Sequence, residues 1–195
     1  MNPPFLFPPS FNKNDSTEYA WQDDVFSKEE LDEVLSLENK ISFVDASTRV
    51  GRVDYDRRKV NISWLENSSE NYLVYSKMTQ VSVFLNSVYF QFDLYGFYEN
   101  IQYSVYNEGD HHAWHYDMPT NGLPPRKLTT IIMLSHPDEY EGGDLEILGA
   151  GEPVKLEKVF GRAYVLPSYI YHRVTPVTKG TRKTLVGWVC GNRFK

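Results

Sequence analysis

The sequence predicts a mainly β protein: a jelly roll or barrel, seen as a β-sandwich buttressed by two N-terminal helices. Two observations carry this. Past Gly96, short alternating or apolar runs are separated by turn residues, the pattern of a double-sheet jelly roll. Before Gly96, two stretches place apolar residues at helical spacing.

Residues 1 to about 18 are rich in Pro, Asn and Ser, with Pro3-Pro4 and Pro8-Pro9 favouring extended backbone. They read as an arm over 1–20, followed by one domain over 21–195 with its β core at about 96–193. Ser27-Lys28-Glu29-Glu30 is a capping box with Ser27 at the N-cap. Leu31, Val34, Leu35 and Glu38 continue it, which predicts a helix over 28–39. Ile41–Val44 reads as a strand. Residues 47–60 are charged and apolar-poor, including Arg52, Asp54, Asp56, Arg57, Arg58 and Lys59, and read as a solvated loop. Ile62–Leu65 resumes a short strand. The apolar stripe from Tyr72 to Val88 predicts a second helix over about 69–90. Runs at 101–106, 128–134, 144–148, 163–166, 171–177 and 184–190 read as strands, punctuated at 107–110, 142–143, 149–151 and 179–180.

The chain has 195 residues, 41% of them hydrophobic and 15% aromatic, enough to fill the core of one domain. No run approaches the roughly 18 apolar residues of a membrane span. The net charge of -6 and a pI near 5.4 weigh against a nucleic-acid partner, which usually demands a basic face. Cys190 is the single cysteine, so no internal disulfide forms. With no basic, apolar leader after Met1, the expected setting is a reducing, cytoplasmic one.

The chemistry centres on Trp114-His115-Tyr116-Asp117. Side chains two apart share one side of an extended strand, so His115 and Asp117 would converge. Such a pair arises readily by chance, and a lone His is more often structural than a ligand. His172, in Tyr171-His172-Arg173-Val174, supplies a second imidazole. Two histidines and one carboxylate form a facial triad that leaves positions open on non-haem Fe(II). Arg182 and Thr184 follow the turn Thr178–Thr181 and share one strand face, and the apolar Leu185–Val189 stretch carries that strand inward. A buried guanidinium fork suits a carboxylate-bearing co-substrate beside the metal.

His115-x-Asp117, His172 and Arg182-x-Thr184 together resemble the signature of the Fe(II)- and 2-oxoglutarate-dependent dioxygenases, in their prolyl 4-hydroxylase-like branch. Tyr103–Gly109, Tyr140-Glu141-Gly142-Gly143-Asp144-Leu145 and His172–Val177 are similar to further family motifs. Ile62-Ser63-Trp64-Leu65 and the charged loop before it resemble a strand and mobile loop of the oxygen-sensing prolyl hydroxylases. The resemblance spans about residues 21–194.

It implies a double-stranded β-helix (jelly roll, cupin-like) with Fe(II) on His115, Asp117 and His172. Arg182 would grip the distal carboxylate of 2-oxoglutarate, with Tyr106 and Thr184 as further contacts. Arg126 and Trp188 would border the prime substrate, a proline-containing peptide or protein. Ascorbate is implied as a reductant. A second tyrosine that contacts 2-oxoglutarate in some relatives is replaced by Met133. Lys183 is the alternative cation, but alternation puts it on the opposite face from Arg182. Residues 47–60 are either a lid over the peptide or a plain solvated loop. The residues also allow hydroxylation of a free amino acid or small molecule, a metal-binding β-sandwich without turnover, a zinc hydrolase, or nucleic-acid demethylation.

Overall fold

The computed structural model describes residues 17–46, 54–118, 125–149 and 151–192. Most of the expected arm and residues 47–53 of the charged loop lie outside the described residues.

The first helix, α1 (Lys28–Ser36), starts where its capping box predicts. Glu30 N–H donates to Ser27 Oγ at 3.2 Å, and Ser27 N–H donates to Glu30 Oε2 at 2.7 Å. Two of the orphan donors of the first turn are satisfied in this way. A 3-10 turn, Leu37–Asn39, completes the predicted span. The second helix, α2 (Tyr72–Leu85), follows a 3-10 turn at Ser69–Asn71 and ends in a π turn at Asn86–Phe90. Val74, Tyr75, Met78, Val81 and Leu85 are its buried face. No helix among the described residues is long and apolar enough to cross a membrane.

The strands in chain order are β1 (Ala20–Gln22), β2 (Val44–Asp45), β3 (Arg58–Lys59), β4 (Asn61–Leu65), β5 (Leu94–Phe97), β6 (Ile101–Tyr106), β7 (His111–His115) and β8 (Arg126–Met133). They continue with β9 (Tyr140–Gly142), β10 (Leu145–Leu148), β11 (Pro153–Lys155), β12 (Ala163–Pro167), β13 (Tyr171–Val174), β14 (Val177–Gly180) and β15 (Arg182–Gly191). The major sheet runs β1-β12-β8-β15-β6-β4-β2, with β5 also paired to β15. The minor sheet runs β11-β10-β13-β7-β3, and β9 pairs with β14 as a separate ribbon. Every pairing is antiparallel. This is the double-stranded β-helix expected from the sequence.

Alternation divides the major sheet into two faces. Leu185 and Val189 of β15, with Leu128 and Ile132 of β8, join the helix side chains in one core. Ile131 and Met133 of β8 point the other way and pack with Leu145 and Ile147 of the minor sheet. The helices therefore cover one face of the major sheet, and the other face is free to build a site with the minor sheet.

Three expectations change. The strand expected at Ile41–Val44 is reduced to Val44–Asp45, because Ile41 and Phe43 pack against the helix core instead. The single run at 171–177 divides into β13 and β14 around Thr175-Pro176. Proline has no N–H to give to a ladder, so the strand breaks there. The arm's boundary also falls inside a strand, since Ala20 pairs with Val165 and is buried.

Candidate metal centre and co-substrate pocket

The site begins with an irregularity in the minor sheet. His115 of β7 stands opposite His172 of β13, while His112 stands opposite Val174. Three steps on β7 match two on β13, a β-bulge. The extra residue lets His112 and His115 share one side, where their rings stack with centroids 3.6 Å apart and planes 22° from parallel.

β7 ends at His115, so strand alternation is not what delivers Asp117. Three contacts beyond the strand do so. Asp117 N–H donates to the Ser168 carbonyl at 2.9 Å. Arg126 Nη1 donates to the Asp117 carbonyl at 3.2 Å, and Thr129 Oγ1 donates to Asp117 Oδ2 at 2.8 Å. His115, Asp117 and His172 each offer a ligand atom within 4.8 Å of the others, and all three are buried. His115 Nε2 lies 3.6 Å from Asp117 Oδ1, and His172 Nε2 lies 3.5 Å from Asp117 Oδ2.

These residues fit a divalent metal. Nδ1 of His115 lies 2.8 Å from the Ala113 carbonyl, and Nδ1 of His172 lies 2.9 Å from the Ile170 carbonyl. A carbonyl only accepts, so each Nδ1 carries the proton and each Nε2 lone pair faces the centre. Burial first, then the neighbouring His172, pushes the His115 imidazole down to about 4, so it is neutral at physiological pH. Burial raises the Asp117 carboxyl, but His172 and His115, followed by Trp188 and Arg126, hold it below its ordinary value as an anion. Two neutral imidazoles and one carboxylate are the donor set expected for Fe(II).

A pocket of about 400 Å³ opens between the sheets from this cluster. Arg182 of β15 lines it and is 1% exposed. Its guanidinium lies over the Tyr106 ring at 5.1 Å, and Nη2 lies 3.8 Å from Met133 Sδ. Arg182 Nε and Thr184 Oγ1 are buried without hydrogen-bond partners. A buried cation left this short of acceptors is costly unless an anion joins it, which fits a co-substrate carboxylate. Gly143 makes room for Arg182: a Cβ there would stand 3.1 Å from Arg182 Cδ and 3.4 Å from Tyr140 Cδ2. The Tyr140 hydroxyl is also buried without a partner. Burial raises its phenol and the adjacent Arg182 opposes the shift. Lys183 points to the opposite face and pairs with Glu38, just past α1.

Arg126 and Trp188 both line the pocket. Arg126 is fully engaged: Nε and Nη2 each donate to a Glu99 carboxylate oxygen at 2.6 Å, and its guanidinium sits 4.0 Å above the Trp188 ring. It therefore braces Asp117 rather than presenting a free cation. Residues 54–57 form a turn leading into β3, and Arg57, Arg58 and Trp64 reach the pocket wall. Sequence reasoning assigned no role to His112, Thr129 or Tyr140. Tyr140 sat beside the Gly142-Gly143 motif and could have been weighed for that reason. His112 is three residues from His115, a spacing that points inward only once the bulge is known.

A family model described as the 2OG-Fe(II) oxygenase superfamily matches residues 101–190. A PKHD-type hydroxylase of Synechococcus is 29% identical over 163 residues, covering 82% of this chain and 73% of the relative. Among solved structures, a Pseudomonas putida prolyl-4-hydroxylase superposes with a TM-score of 0.72 at 19% identity, over 89% of this chain and 92% of that one. A Trichoplax adhaerens prolyl hydroxylase, solved with a hypoxia inducible factor oxygen degradation domain peptide, gives 0.75 at 17% identity, over 89% and 84%. At such identities the two structures speak for the fold.

Proposed function

Because this chain belongs to the 2OG-Fe(II) oxygenase superfamily, we propose that it hydroxylates a C–H bond of prolyl residues in a peptide or protein. The reaction consumes oxygen and 2-oxoglutarate and releases succinate and CO2. One observation carries the reading: a buried His-Asp-His cluster shares a pocket with a buried arginine that lacks an anion. The PKHD-type relative is named a hydroxylase, and the names of the two superposed enzymes favour proline as the target.

His115, Asp117 and His172 would hold a ferrous ion, which when bound supplies the oxidising power needed for an unactivated C–H bond. Arg182 binds the distal carboxylate of 2-oxoglutarate through its fork, assisted by the hydroxyls of Thr184 and Tyr140. Tyr106 supports the guanidinium from below. Ile131, Leu145, Val174 and Val186 give this part of the pocket apolar walls, which limit water around the reacting groups. Trp64, 43% exposed and 6.1 Å from Trp188, borders the opening through which a peptide reaches them.

The test is mass spectrometry on a proline-rich peptide library incubated with Fe(II), 2-oxoglutarate and oxygen. A gain of one oxygen on proline is expected, with succinate released in step. Turnover of free proline instead of peptides would move the activity to small molecules. Absence of succinate under every condition would leave a binding protein.

A further inference from the structure

The pocket holds a second guanidinium cluster that neither the metal centre nor the 2-oxoglutarate contacts use. Arg57 and Arg58 line its wall alongside His112, Trp64 and Tyr116. Arg57, Trp64 and Tyr116 are exposed, so this is the rim, away from the buried Arg182. Arg58 lies in β3 directly opposite His112, one bulge away from His115.

Arg58 is held in place but not neutralised. Its Nη2 donates to Gln102 Oε1 at 3.0 Å, and Gln102 Nε2 in turn donates to Ser104 Oγ at 2.6 Å. Both anchors are uncharged. Arg58 Nε is buried with no partner. Among the described residues neither Arg57 nor Arg58 forms an ion pair, whereas the neighbouring Lys59 pairs with Asp110 at 3.0 Å. A guanidinium fixed by neutral groups, with no carboxylate among the described residues to balance its charge, is prepared for an anion that arrives from outside.

Charge in the pocket points the same way. Among the described residues four guanidinium groups line it, those of Arg57, Arg58, Arg126 and Arg182, against two carboxylates, Glu99 and Asp117. A ferrous ion and a 2-oxoglutarate dianion cancel each other, so two positive charges stay unbalanced when both are bound. Glu99 is consumed by Arg126, and the anion on Arg182 is the co-substrate, which leaves the excess at Arg57 and Arg58. This local excess sits in a chain of net charge -6, so it is a feature of the pocket and not of the protein.

We propose that Arg58, with Arg57 beside it, forms an anion subsite for the prime substrate, and that the substrate carries an Asp or Glu close to the reacting proline. The proposal rests on the prolyl hydroxylase reading and specifies the peptide it takes. The subsite favours acidic segments through attraction at the rim and through pairing of the carboxylate with the unbalanced charge of Arg58.

The test uses matched peptides with Asp or Glu, or with Asn or Gln, at positions flanking one proline, and the same peptides with alanine in place of proline. Affinity is measured without oxygen on the protein loaded with Fe(II) and 2-oxoglutarate, and turnover is then followed by mass gain. Acidic peptides should bind about tenfold more tightly than their amide partners, with the advantage shrinking as salt is raised. Arg58→Lys should keep part of that preference, and Arg58→Glu should abolish or reverse it towards lysine-flanked peptides. Circular dichroism of both variants separates this from misfolding. Equal affinity of acidic and amide peptides for the wild-type protein would overturn the subsite even if proline gains oxygen. Arg58-dependent preference for acidic peptides with no oxygen on proline would keep the subsite and reject proline as the target.

Discussion

The His112 ring lies stacked on the ring of His115, 3.6 Å between centroids. The contact exists because the bulge in β7 turns both imidazoles to one side. His112 thereby fixes the plane of a ring we propose as a metal ligand, without itself joining the His115-Asp117-His172 cluster. Groups that orient ligands typically influence metal affinity by about 10–100-fold. We predict a loss in that range for His112→Ala, measured by Co(II) titration, and near-normal affinity for His112→Phe, which preserves the stack. An unaltered affinity in the alanine variant would remove the orienting role.

The ligand set gives a sharper expectation. His115→Ala or Asp117→Ala should abolish Fe(II) binding, since each leaves two donors where three converge. Thr129→Val should weaken binding without abolishing it, by removing the 2.8 Å hydrogen bond that aims Asp117 Oδ2. Metal content after dialysis decides between these outcomes, and an Asp117→Ala protein that retains iron would mean that the ligands are misassigned.

Arg182 and Lys183 are adjacent in sequence and serve opposite faces of one strand. Arg182→Ala should raise the 2-oxoglutarate requirement on the order of 100-fold or more, because breaking a buried charge pair costs about 3–5 kcal/mol. Lys183→Ala removes only the partly exposed pair with Glu38 and should change it little. Gly143→Ala should behave as a mild form of the arginine variant. Its Cβ would press on Val177 Cγ2 at 2.9 Å and on Arg182 Cδ at 3.1 Å, at a residue whose φ of +59° already disfavours a side chain. Titrating 2-oxoglutarate against succinate release compares all three, and matching shifts for Arg182→Ala and Lys183→Ala would undo the assignment.

Acid should destabilise the metal-free protein through His115. Its folded pKa of about 4 lies below the ordinary value of 6.5. Between these values the unfolded chain binds the extra proton, so stability falls as pH drops through that window and is unaffected by this group above it. Thermal unfolding of the metal-free protein between about pH 7 and about pH 5 should show a steeper decline than His115→Gln does. Parallel curves would assign the acid sensitivity elsewhere.

Much of the site could be read before any coordinates, for reasons that differ residue by residue. Ser27 and Glu30 cap α1 because capping is local chemistry written in four consecutive positions. Arg182 and Thr184 point inward because β15 is regular and strict alternation holds along it. Asp117 converges with His115 as their spacing predicts, but it lies past the end of β7 and is held by Ser168, Arg126 and Thr129, which the spacing does not reveal. His112 and the neutralised state of Arg126 were not legible at all. One depends on a bulge set by the register of two strands, and the other on Glu99 reaching across from a different part of the chain.

The order of the major sheet has a further consequence. Its two outermost strands, β1 and β2, both come from the first quarter of the chain, so the N-terminal segment guards both rims of a sheet whose central strands, β8, β15 and β6, all come from the second half. A fragment cut down to residues 101–190, the span matched by the family model, would keep all three proposed metal ligands. It would also bare the backbone of β12 on one side and β6 on the other. Open strand edges recruit other strands, so such a fragment should self-associate, and the early strands act as a built-in guard against aggregation.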